Sequence, residues 1–230
     1  MKTIGLIGGM SWQSSDTYYQ IINRKVKETL GGVHSCRSLM YSVDFAEIAE
    51  LQHKGDWEAL GVILVDAARK LERGGADFLV LCTNTLHKLA EEIEQSTPLP
   101  FLHIADATAH EIHRQGHTTV GLLGTRFTME QDFLRRRFLE HHHISTIIPS
   151  ERARERIHAI IFEELVKGIL KESSRQEYLQ IMEEVLHQGA QGIILGCTEI
   201  GLLIRPQDTA AILYDSAQLH AERAVEVALS

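Results

Sequence analysis

The sequence predicts an α/β protein built from two similar parallel-sheet units. Strand-like apolar runs alternate with helix-like amphipathic runs along the chain, the pattern of strands joined by crossover helices. Short glycine-bearing segments of the first half also recur in the same order in the second half. Finally, two apolar runs, FLVLCTNTLH from Phe78 and IILGCTE from Ile193, open into small polar residues, as buried strands do when they end at a site.

The strands are expected at residues 3–7, 38–43, 78–81, 101–104, 119–123, 144–148, 192–195 and 211–213. Helices are expected between them, among others at 57–73, 128–140 and 176–187, with Thr128 and Gln131 forming a capping box at the start of the second. The halves match at three places. Thr3 to Gly9 matches Thr119 to Thr125 at a shift of 116, Gly75-Ala76 matches Gly189-Ala190 at 114, and Ile104-Ala105-Asp106 matches Leu213-Tyr214-Asp215 at 109. Two copies at this period are not a solenoid. They predict two similar Rossmann-like domains related by a pseudo-twofold and facing each other. Residues 1–105 with 209–230 would form the first domain and 106–208 the second. Asp106 and Asp215 would each begin a helix, since Asp suits the N-cap.

Composition narrows the function. With 44% hydrophobic and 23% charged residues the chain reads as an ordinary globular protein, and a net charge of −8 invites no nucleic acid. The one dense basic cluster, Arg135-Arg136-Arg137, lies among acids on an expected helix and reads as a solvated face. No apolar run approaches the ~18 residues of a membrane span, and the apolar start of the chain is too short for a signal segment. An odd count of three cysteines argues against a disulfide framework and for a reducing cytoplasm.

In open parallel sheets ligands bind beyond the carboxyl ends of the strands. Four such ends stand out: Gly8-Gly9-Met10-Ser11, Thr83-Asn84-Thr85, Gly124-Thr125 and Cys197-Thr198-Glu199. Gly8 and Gly9 can equally mark a tight turn, and neither a GxGxxG nor a P-loop pattern occurs, so nucleotide binding is unsupported. Cys36 reads as a structural thiol at the start of a strand, and Cys82 reads as a small buried residue. The His141-His142-His143 tract lacks metal-ligand spacing, so no metal is expected. His87 suits a structural or a functional role. Counted from the Gly-Ala pairs, Cys197 aligns with Thr83, and Gly196 aligns with Cys82. A one-residue slip on a strand turns a side chain to the other face, so the distinction decides which group faces the site.

Taken together, GLIGGMSW near the start, VDF at 43–45, CTNTLH at 82–87, FLHIADAT at 101–108, LLGT at 122–125 and GCTEIGLL at 196–203 resemble the aspartate/glutamate racemase family over nearly the whole chain. The resemblance implies a cofactor-free isomerase, commonly a homodimer, whose two domains enclose the substrate amino acid. One strand end from each domain brings an acid/base group to opposite faces of Cα, and usually both groups are cysteines. Carried over by position, Cys197 matches the second cysteine. Asn84 and Thr85 match the pair that holds the α-carboxylate, and Met10 and Ser11 match the first glycine-rich loop. Thr125 and Thr198 match further polar groups around the substrate, and Lys167 resembles a position that meets a side-chain carboxylate. Gln52 lines the cleft from the first domain. Thr83 departs from the pattern by standing where the first cysteine belongs. The resemblance therefore implies a racemase of aspartate or glutamate with an unequal pair, Thr83 and Cys197, preferring the L-form. The other readings are a one-thiol decarboxylase or isomerase of the same superfamily and a non-catalytic amino-acid-binding protein. A helix starting near Glu199 is expected to lower the pKa of Cys197, with the charge of Glu199 opposing it.

Overall fold

A computed structural model describes all 230 residues, which divide into two compact units, Met1–Ile104 with His220–Ser230 and Ala105–Leu219. In the first unit the elements run β1 (Ile4–Gly8), α1 (Trp12–Leu30), β2 (Ser38–Ser42), α2 (Phe45–Lys54), α3 (Trp57–Arg73), β3 (Phe78–Leu81), α4 (Ala90–Ser96) and β4 (Phe101–Leu102). The sheet order is β2-β1-β3-β4, with every pairing parallel. The helices start where the sequence supplies caps. Ser11 accepts from the Ser14 N–H at 3.3 Å, Asp44 from Ala46 at 3.0 Å, and Asp56 from Ala59 at 3.0 Å. Along α3, Leu60, Leu64, Ala67, Ala68 and Leu71 repeat at helical spacing and are buried against the sheet residues Ile7, Leu79 and Leu81. Fully burying a leucine is worth about 2 kcal/mol, so this stripe, more than helix propensity, holds α3 in place.

The second unit runs α5 (Ile104–Arg114), whose first residue, Ile104, belongs to the first unit, β5 (Thr119–Gly124), α6 (Arg126–Glu130), α7 (Asp132–His142), β6 (Ser145–Ile147), α8 (Glu151–Glu163), α9 (Glu172–His187), β7 (Ile193–Gly196), α10 (Ile200–Leu203), β8 (Leu213–Asp215) and α11 (Ser216–Leu229), whose last turns lie in the first unit. The order β6-β5-β7-β8, again all parallel, repeats that of the first sheet. Its core centres on Ile157, Ile160, Tyr178, Val185, Ile193 and Leu203. Because β8 pairs with β7, residues 213–215 belong with the second sheet, and the chain re-enters the first unit at His220 rather than at 209. No helix is long and apolar enough to cross a membrane.

Several local expectations are corrected. The segment 128–140 is two helices, not one. Gln131 adopts extended backbone between them, and Thr125 caps α6 through the Thr128 N–H at 3.3 Å, so the Thr128–Gln131 capping box does not form. The strand expected at 101–104 ends at Leu102, because α5 begins at Ile104. Arg137 is not part of a solvated face. Its guanidinium grips both carboxylate oxygens of Asp106 at 2.8 and 2.6 Å, and the His142 Nε2 meets the same carboxylate at 2.7 Å. Burial alone would raise the Asp106 carboxyl's pKa, but the bonds from Arg137 and His142 outweigh it and hold the group below its ordinary value. Asp106 therefore anchors α7 rather than capping α5.

The third repeat match is also out of register. Leu79 pairs with Phe101 and Ile193 with Leu213, so Phe101 corresponds to Leu213 at a shift of 112, and the counterpart of Asp215 is His103, not Asp106. Asp215 does cap α11, accepting from the Ala217 and Gln218 N–H groups at 3.1 and 3.0 Å.

Candidate active site

The ladders fix which strand ends correspond. Gly5 pairs with Leu79, and its repeat mate Gly121 pairs with Ile193. Leu79 and Ile193 stand 114 residues apart, as do Cys82 and Gly196, and Thr83 and Cys197. Thr83 and Cys197 thus occupy the same register position, just beyond the central strands β3 and β7. Cys82 is wholly buried, and burial pushes its thiol far above the usual range. Cys36, just before β2, is likewise raised by burial, to about 11, and its thiol turns to the Arg37 carbonyl at 3.1 Å.

In the first unit the strand ends gather Met10, Ser11, Thr83, Asn84 and Thr85, all buried except the half-buried Thr83. The turn after β1 is tight for a physical reason. Gly9 has φ +96°, and a Cβ there would stand 2.2 Å from the Val43 carbonyl oxygen. Ser15 ties this turn down, its Oγ accepting from the Gly9 N–H at 2.7 Å and donating to the Ser11 carbonyl at 3.1 Å. Gln52 is buried near the end of α2. The segment after β3 becomes a short 3-10 helix, Thr85–Leu89, and the His87 side chain bonds back to the Thr83 carbonyl at 2.7 Å.

In the second unit Thr125 follows β5 as the α6 cap, and Cys197 and Thr198 follow β7. The glycine before Cys197 is required by close packing: a Cβ on Gly196 would lie 2.8 Å from the Leu123 carbonyl oxygen. Lys167 is exposed at the end of a 3-10 turn, Leu165–Lys167, which packs against α10 directly after the Cys197 segment. Glu164 braces this turn. Its buried carboxylate takes bonds from the Ser174 hydroxyl at 2.6 Å and Lys171 at 3.2 Å, and its carbonyl accepts from the N–H groups of Lys167 and Ile169, each at 3.0 Å.

The Cys197 thiol donates to the Glu199 Oε2 at 2.9 Å, and Glu199 is itself buried. Although Cys197 keeps part of its surface exposed, the protein around it is dense. Burial first, and the Glu199 charge second, push its pKa well above the usual thiol range. This reverses the expected lowering by a helix start. The helix that follows is only the four residues of α10, too short to outweigh a carboxylate at hydrogen-bond distance. The weight of Glu199 on Cys197 was not legible in the sequence. The available signal was its spacing, two residues beyond a thiol in a turn.

A consequence is measurable. Glu199→Gln removes the charge but not the burial, so the Cys197 pKa should fall. Alkylation at Cys197, resolved by mass from Cys36 and Cys82, should reach its half-maximal rate at lower pH than in the wild type. An unmoved or higher midpoint would contradict the Glu199 contribution.

Residues 7–224 match the model of the Asp/Glu/hydantoin racemase family. The chain belongs to this family. Among curated relatives, the broad specificity amino-acid racemase RacX of Bacillus subtilis (strain 168) is 24% identical over 237 residues, covering 99% of this chain and 98% of RacX. Among solved structures, a Yersinia pestis protein provisionally described as an Asp/Glu racemase is 50% identical with a TM-score of 0.94, covering 100% of both chains. An aspartate racemase homologue from Pyrococcus horikoshii OT3 is 34% identical with a TM-score of 0.88, again over 100% of both. The two solved structures share this two-unit α/β fold, and the family description and the name RacX refer to racemases, which are isomerases.

Proposed function

We propose that this racemase-family chain is a cofactor-independent racemase of aspartate and/or glutamate, preferring the L-form, with Cys197 and Thr83 as its acid/base pair. The observation that carries the reading is the shared register of Thr83 and Cys197 at the ends of β3 and β7, one a hydroxyl and the other a thiol beside a carboxylate. An amino-acid Cα–H is a very weak acid, so the base must be a thiolate and the enolate-like charge must be met by fixed donors. Glu199 accepts the Cys197 proton as substrate binds, and the thiolate then takes the α-proton of the L-amino acid. A proton delivered from the Thr83 side, with the hydroxyl reloaded by solvent, completes inversion, and the Glu199 proton leaves to water.

Asn84, Thr85 and Thr198 hold the α-carboxylate. Met10, Ser11, Gln52 and Thr125 line the substrate, and Lys167 meets the side-chain carboxylate. Assembly as a cytoplasmic homodimer belongs to the same proposal. The single well-placed thiol also favours, as the second reading, a one-thiol decarboxylase or isomerase of the superfamily.

Incubation with single amino acids in heavy water separates these readings. The racemase incorporates α-deuterium into aspartate or glutamate and forms the opposite hand, whereas the decarboxylase consumes a malonate and a binding protein does neither. Activity should survive dialysis against a chelator, with no pyridoxal absorption band. Activity lost on dialysis and restored by a metal would refute cofactor independence.

A further inference from the structure

The first unit holds three buried histidines, His87, His103 and His220, packed ring to ring. His87 lies 4.5 Å from His103 and 5.7 Å from His220, centroid to centroid. Their hydrogen bonds define proton positions. The Thr83 carbonyl can only accept, so the His87 Nδ1 carries a hydrogen and donates to it at 2.7 Å. The Ile104 N–H donates to the His87 Nε2 at 3.1 Å, so that nitrogen is a bare acceptor. His87 is therefore a neutral imidazole bonded at both ends. His220 is fixed in the opposite tautomer, its Nε2 donating to the Leu102 carbonyl at 2.8 Å and its Nδ1 accepting from the Tyr18 hydroxyl at 2.9 Å.

The second unit has nothing equivalent. At the register that matches Thr83 with Cys197, the counterpart of His87 is Gly201, and that of His103 is Asp215. A Cβ on Gly201 would stand 2.5 Å from the Asp215 Oδ2, so the slot that holds two imidazoles in the first unit is closed by a carboxylate in the second. The two strand ends are thus held differently. Cys197 answers to Glu199, and the backbone of Thr83 answers to His87.

We propose that His87 is a positioning residue for Thr83: by clamping the Thr83 carbonyl to the start of α5 at Ile104, it holds the Thr83 hydroxyl in place to deliver the proton that inverts the substrate. The inference rests on the assignment of Thr83 under Proposed function. A displacement of about 1 Å at a reacting group costs up to ~100-fold, so loss of the His87 clamp should cost about tenfold. The loss should fall on one side of the reaction only. Cys197 still deprotonates the L-amino acid and can return deuterium to the same face, so L-exchange persists while inversion slows.

The test compares His87→Leu, His87→Asn and His87→Gln with the wild type on L-aspartate and L-glutamate in heavy water, reading α-deuterium incorporation and inversion separately. In His87→Leu the ratio of inversion to exchange should fall about tenfold, with exchange changed less than about threefold. Asn presents an N–H near the place of Nδ1 and should restore most of the ratio. Gln reaches only toward the Nε2 place and should not. In ¹⁵N spectra of the wild-type imidazoles, His87 should show a protonated Nδ1 and an unprotonated Nε2. Thermal melts establish that each variant is folded, and if His87→Leu is not, the Asn and Gln pair carries the comparison. Inversion and exchange falling together, an unchanged ratio in His87→Leu, equal ratios for Asn and Gln, or the other tautomer would each overturn this inference while leaving the racemase reading intact. A wild-type protein that exchanges no α-hydrogen would overturn the racemase reading and this inference with it.

Discussion

Cys197→Ala is expected to abolish α-hydrogen exchange of the L-amino acid, with a loss of about 10²–10⁴-fold, the range that a positioned acid/base group contributes. Cys82→Ser should keep most of the exchange activity. The difference is geometric. Both thiols end a central strand, but Cys82 is turned wholly into the core, whereas Cys197 stands one register step further, partly exposed and bonded to Glu199. Placing a hydroxyl in the Cys82 site costs stability rather than chemistry, because a buried polar group has to find a partner there. The measurement is deuterium incorporation by the variants at equal folded concentration, alongside thermal melts. If Cys82→Ser proved the more damaging to exchange while remaining as stable as the wild type, the assignment of the active thiol would be one residue out.

Thr83→Cys is expected to raise deprotonation of the D-amino acid by tenfold or more, an effect within the ~10²–10⁴-fold reach of a positioned base. A threonine hydroxyl has a far higher pKa than a thiol, so it can give a proton to a strong carbanion yet is a poor base toward Cα–H. Each hand of the substrate presents its hydrogen to a different side, and the wild type should therefore exchange the L-form faster than the D-form. Catalysis cannot shift the balance between enantiomers, which are equal in energy. The values of kcat/KM for the two directions stay tied together, and the bias appears in exchange without turnover and in binding. The readout is the initial rate of α-deuterium entry into each pure enantiomer. Equal rates in the wild type, or no change in Thr83→Cys, would remove the unequal pair from the mechanism.

Much of this was legible in the chain itself. Continuously apolar runs marked the central strands β1, β3, β5 and β7, because a strand buried on both faces must be apolar throughout; the partly exposed edge strands were marked less sharply, and β8 lies at 213–215 rather than 211–213. The repeat marked two copies of one unit, and the Gly-Ala pairs alone aligned Thr83 with Cys197, as the ladders do. Matching by residue identity failed at Asp106. An aspartate that caps a helix and one that grips an arginine look alike in sequence, and only the pairing of β4 and β8 separates them. The break at Gln131 was hidden for a similar reason, since a one-residue extended step leaves the helical pattern nearly intact on either side.

What the sequence determined was the identity of the groups: one thiol, one hydroxyl, and the order in which they fall at strand ends. What only the tertiary structure decided was their protonation and support. The state of the Cys197 thiol depends on how much protein surrounds it and on a carboxylate 2.9 Å away, and the hold on Thr83 depends on an imidazole whose second nitrogen meets the backbone 17 residues further on. Charge interactions and hydrogen bonds act through space over a few ångströms, so neither can be read from separation along the chain.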